Sequence, residues 1–112
     1  MIKKKLKIPL YFQNLTIIQT DDFESIHKFY NLKGQCGGYD AVTIDDGDNI
    51  VVVFNSKVDA STIAHESTHV CTYTFQKIGA EIDVDNDETF AYLIGWVVGQ
   101  IHKIIKVNYE RN

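Results

Sequence analysis

The apolar positions of this chain change their spacing several times, and each change marks a new element. Residues 7–19, KIPLYFQNLTIIQ, carry strand-type side chains and stop at Thr20 and two aspartates, which predicts a first strand. Pro9 has no N–H to donate, so the early part of that segment belongs at a strand start or on a sheet edge. DDFESIHKFY then turns helical: Asp21 or Asp22 can cap it, and Phe23, Ile26, Phe29 and Tyr30 share a face. GQCGG breaks the pattern, its three glycines permitting a turn with positive φ. YDAVTI and NIVVVFN flank DDGD, a hairpin signal rich in Asp and Gly. Residues 50–54 are apolar at every position, as expected of a strand covered on both faces. Residues 41–44 set polar Thr43 between Val42 and Ile44, which suits a more exposed edge strand.

The remainder reads as helix. Asp59 or Ser61 can cap a helix that runs to about Ile78, and Gly79 can end it. AEIDVDND forms an acidic turn, and Asp85 or Asn86 can cap a last helix through about Val107. Phe90, Leu93, Ile94, Trp96, Val97, Val98, Ile101 and Ile104 make that helix apolar nearly all round, so it is expected to thread the middle of the domain. The predicted order is β-α-β-β-α-α, an α+β arrangement with a small sheet of about three strands, in one domain spanning residues 1–112.

Composition narrows the functional classes. Hydrophobic residues make up 45% and charged residues 23% of 112, so the chain reads as a soluble globular protein. A formal net charge of −4 disfavours nonspecific nucleic-acid binding, which needs a basic footprint. Lys3, Lys4, Lys5 and Lys7 form the only basic cluster and read as a solvated terminal arm. The most apolar late stretch, TFAYLIGWVVGQI, has 13 residues, and a spanning helix needs about 20. No secretory leader pattern is evident. Cys36 and Cys71 suggest no disulfide framework, and two reduced thiols imply a cytoplasmic protein. A monomer or weak oligomer is expected, with neither a membrane nor a nucleic acid as partner.

The chemistry concentrates in HESTH. On a helix His65 and His69 lie one turn apart on one side, where two imidazoles can hold one metal ion, and Glu66 beside them can reach a water on that metal. A catalytic zinc takes three protein ligands and keeps one position open. Thr72 and Phe75 stand where a metzincin would place its Gly and third His, which excludes that branch. Glu88, on the opening turn of the last helix with 18 residues between it and His69, is the candidate third ligand. The neighbouring DVDNDE does not continue as an EF-hand, because Glu88 occupies the glycine position and Ile94 the bidentate position. Tyr92, one turn beyond Glu88, and Tyr73, one turn beyond His69, are candidates for stabilising an oxyanion.

With these residues the chain resembles the gluzincin branch of zinc metallopeptidases. ETFAYLIGWV, which begins at Glu88, is also similar to small gluzincin-like proteins of phages and mobile elements and, more distantly, to the repressor-cleaving ImmA/IrrE group. The resemblance covers about residues 40–105. It implies a zincin-like fold, Zn²⁺ held by His65, His69 and Glu88, and peptide-bond hydrolysis with Glu66 as general base. Tyr92 stands where many larger gluzincins carry an Asp, so the surroundings of the third ligand differ here. It further implies that the strand holding Tyr39, Ala41, Val42, Thr43 and Ile44 pairs with an extended peptide or protein substrate. The competing expectation is a zinc-stabilised regulatory or interaction module with little or no peptidase activity.

Overall fold

The computed structural model describes residues 1–33 and 40–109. Four strands and three helices follow in the order β1 (Ile2–Ile8), β2 (Gln13–Gln19), α1 (Phe23–Phe29), β3 (Ala41–Asp46), β4 (Asn49–Phe54), α2 (Ala60–Ile78) and α3 (Glu88–Ile104). The α+β class is as expected, with a fourth strand added. The sheet order is β1-β2-β4-β3. β2 and β4 run parallel, while β1 on β2 and β3 on β4 are antiparallel. The turn expected at residues 34–38 lies outside the described residues.

The extra strand corrects two expectations. The single strand expected over residues 7–19 is two strands of a hairpin, with Ile8 opposite Gln13. Pro9 withholds a ladder donor, and Leu10 and Phe12 take left-handed backbone conformations, φ 71° and 54°. Tyr11 packs its ring on Phe75, with centroids 6.1 Å apart, and anchors the turn. The lysine segment is no loose arm: Lys3, Lys4, Lys5 and Lys7 lie exposed on edge strand β1. Their charges discourage pairing with a further strand.

β4 is covered on both faces, as its unbroken apolar run required. Ile50, Val52 and Phe54 join the larger core cluster with Ile63, Val70, Leu93, Val97 and Ile101. Val51 and Val53 join a smaller cluster with Ile18, Phe23, Ile26 and Ile44. The sheet is therefore a middle layer, with α2 and α3 on one side and α1 on the other. In α1, Phe23 and Ile26 point inward, whereas Phe29 is 77% exposed. The expected four-residue apolar face is thus only partly used.

α2 begins and ends where its punctuation placed it. The Asp59 side chain accepts from the Thr62 N–H at 2.9 Å, and Gly79 closes the helix at φ 72°. α3 departs from expectation. Its cap residue is Asp87, without a side-chain cap hydrogen bond, and it ends at Ile104 as Ile105 turns extended. Only Leu93, Val97 and Ile101 are buried on it, while Tyr92 is 76% exposed. It lies along α2 as an outer layer and does not thread the centre. The last described segment returns to the sheet. The Gln19 side chain donates to Lys106 C=O at 2.7 Å and accepts from its N–H at 2.9 Å, and Asn108 N–H donates to Val58 C=O.

Candidate metal centre

Uninterrupted helix from Ala60 to Ile78 puts the HESTH side chains where helical geometry dictates. Val70, Ile63 and Thr74 face the sheet and are fully buried. His65 and His69 project from the flank that faces solvent, and both are exposed. Their Nε2 atoms are 3.2 Å apart, with ring centroids at 4.8 Å and planes at 76°. Two nitrogen ligands on one tetrahedral zinc, each about 2.0–2.1 Å from it, would be about 3.3 Å apart. The His65–His69 pair therefore fits two positions of a tetrahedral metal ion. The same separation also accommodates one N–H···N hydrogen bond between the two rings.

Glu66 is held differently. It is only 8% exposed and leans toward the edge strand, where its Oε1 accepts from Thr43 Oγ1 at 2.8 Å. Its Oε2 lies 3.7 Å from His65 Nε2. Among the described residues, His65, Glu66 and His69 are the group whose candidate ligand atoms converge, all within 4.8 Å of one another. One carboxylate oxygen is thus committed to the sheet, and the other faces the imidazole pair. Lys77 forms an ion pair with Asp45 farther along the same flank, fixing β3 against α2 at a second point.

Glu88 is not in that group. α3 runs back along α2, with Phe90 edge-to-face on Phe75 at 5.1 Å near one end and Asn108 joined to Val58 at the other. Phe75 lies about 9 Å along the axis from His69 at 1.5 Å per residue, and about 120° around the helix from it. Glu88 precedes Phe90 and is exposed beyond that contact. Sequence spacing measures how much chain separates two residues and says nothing of the side on which the second helix returns. Tyr92 lies beside Pro9, Leu10, Tyr11 and Trp96 at the β1–β2 turn, apart from the histidines. Tyr73 is half-buried against the main core cluster, about 40° around α2 from His69 and on the flank of Glu66. Ala41, Val42, Thr43 and Ile44 occupy β3, which is an edge strand; Tyr39 lies outside the described residues.

The feature that sequence reasoning missed is the use of Thr43. Its polarity within an apolar strand was visible, but not that its hydroxyl orients Glu66, 23 residues later in the chain. Cys71, two residues past His69, faces the core, and burial pushes its thiol up to about 12. It lies within the main core cluster, whereas His65 and His69 are exposed on the solvent side of the helix. Among the described residues, no helix is long and apolar enough to cross a membrane. Comparison with protein families, curated proteins and solved structures finds no match to this chain.

Proposed function

We propose that this chain is a metal-dependent hydrolase, and more narrowly a small zinc endopeptidase of zincin-like design acting in the cytoplasm. The observation that carries the reading is the joint geometry of α2 and β3: two imidazole nitrogens at metal-sharing distance beside a carboxylate anchored to an edge strand. A structural zinc has no use for such a carboxylate, and structural centres are closed by four protein ligands, whereas His65 and His69 are exposed.

His65 and His69 would hold the ion, and Zn²⁺ would supply the Lewis acidity that a substrate carbonyl and an attacking water both require. Glu66 takes the proton of that water on the oxygen not engaged by Thr43 and returns it to the departing amine. Thr43 keeps the carboxylate from swinging away. The free edge of β3 offers main-chain donors and acceptors to an extended peptide, laying it past Glu66. Glu88, the third ligand that the resemblance implies, would need the opening turn of α3 to shift toward the histidines. With Glu88 remote, the reading as a zinc-stabilised interaction module of a phage or mobile element is the second one.

Zinc per chain, measured on wild type, His69→Ala and Glu88→Ala, tests the centre. Hydrolysis of a peptide library by wild type and Glu66→Gln tests the reaction. One zinc lost with His69, and cleavage lost with Glu66→Gln, is the expected result. Tight zinc with no cleavage by either protein would favour the interaction module. A wild type that binds no zinc would overturn both readings.

A further inference from the structure

The β1–β2 turn presents its largest apolar side chains to solvent. Leu10 is 87% and Phe12 98% exposed, both on residues with left-handed φ. Bulky residues seldom adopt that conformation, and neither side chain gains burial within the chain in return. Tyr92 on α3, 76% exposed, extends the same surface.

Three hollows meet there. One of about 460 Å³ is bordered by Lys7, and a second of about 290 Å³ by Tyr92 and Trp96. They share Pro9 and Leu10. A third of about 300 Å³ is bordered by Glu81 and Asp83, and shares Tyr11 and Thr89 with the second. The surface therefore runs from a basic end, through an apolar middle, to an acidic end.

We propose that this surface is the interface of a two-fold symmetric dimer of this chain. A two-fold contact must be self-complementary: each end of the patch meets the opposite end of its partner. An axis through the Leu10–Tyr92 region does this, setting Lys7 of one copy against Glu81 and Asp83 of the other while Phe12 and Tyr92 are covered. An anionic membrane would meet the apolar turn and Lys7 favourably, but would be repelled by Glu81 and Asp83 at the other end. The charge order thus favours a second copy. The inference is independent of any reaction at the HESTH helix.

Sedimentation of the full chain over micromolar to submillimolar concentrations provides the test, with four proteins. Wild type is expected to dimerise. Phe12→Asp, at a position too exposed to matter for folding, weakens the dimer by roughly tenfold or more. Lys7→Glu alone and Glu81→Lys/Asp83→Lys alone are each expected to be monomeric, because like charges then meet at both ends. Mixed together they re-form a dimer, since both ends are again opposite in sign. A wild type that stays monomeric throughout, a Phe12→Asp dimer as tight as wild type, or a mixture that stays monomeric would each overturn the proposal. Circular dichroism melts of each variant confirm that a monomer is a folded monomer.

Discussion

The Thr43–Glu66 contact supports a prediction whose sign separates a functional carboxylate from a structural one. Glu66 sits on the sheet side of α2 at 8% exposure, and Thr43 Oγ1 is its hydrogen-bond donor at 2.8 Å. A hydrogen bond to a charged group contributes about 1.5–3 kcal/mol, and half-burial of the donor favours the lower end. Thr43→Val keeps the shape, removes the donor and leaves a nearly buried carboxylate less satisfied. It should cost about 1.5 kcal/mol, or about 6 °C in Tm for a domain of this size. Glu66→Leu does the opposite, removing a charge from a face that otherwise packs Val70 and Ile63, and should be neutral or stabilising by up to about 1 kcal/mol. In the double variant a valine meets a leucine, so it should lose far less than Thr43→Val alone. The interaction energy of the cycle is then about 1–2 kcal/mol. Urea denaturation of the four proteins with chelator present, so that metal linkage does not enter, measures it. A coupling below about 0.5 kcal/mol would refute the argument that Thr43 holds Glu66. A strongly destabilised Glu66→Leu would mean that Glu66 is kept for stability and not for chemistry.

Other outcomes follow from the same structure. Zinc at 100 times its dissociation constant should stabilise the wild type by about 2.7 kcal/mol and raise Tm by roughly 10 °C, and His69→Ala should abolish the shift in a thermal melt. The Cys71 thiol, raised by burial to about 12 from 9.0, holds its proton in the folded state after the unfolded chain has released it. Its contribution is therefore constant below pH 9 and stability falls above it, by about 1.4 kcal/mol per pH unit toward 12. Urea melts of Cys36→Ser against Cys36→Ser/Cys71→Ala across that range should diverge accordingly, and a thiol reagent at pH 8 should label Cys71 only after unfolding. Asp59→Ala removes the cap on α2 and should cost about 1 kcal/mol. Gly79→Ala, forced into φ 72°, should cost a similar amount, with both read from denaturant midpoints.

Legibility varied with how local the cause was. α2 was readable at both ends because its cap and its terminating glycine act on their own backbone within a few residues. β4 was readable because a strand buried on both faces can afford no polar side chain. The β1–β2 turn was not, since Leu10, Tyr11 and Phe12 have strand-forming side chains and carry none of the Gly or Asn that usually marks left-handed turns. What stabilises that turn is Tyr11 against Phe75, a contact 64 residues away in the chain. α3 differs for a related reason: its many apolar residues suggest burial all round, yet a helix packed on one side buries only Leu93, Val97 and Ile101 and leaves Phe90, Ile94, Trp96, Val98 and Ile104 half-buried.

For the candidate centre the division is sharper. The pairing of His65 with His69 and the placement of Glu66 beside them were determined by sequence alone, because a helix converts a spacing of four residues into one turn whatever the surroundings. That β3 is an edge strand was also implied, by one threonine among apolar neighbours. Only the tertiary structure decided that this threonine reaches Glu66, and that α3 returns along the flank of α2 away from the histidines, leaving Glu88 outside their group. Both depend on how separately formed elements dock. Docking is governed by the summed packing of faces such as Phe75 on Phe90, to which no single residue spacing gives access.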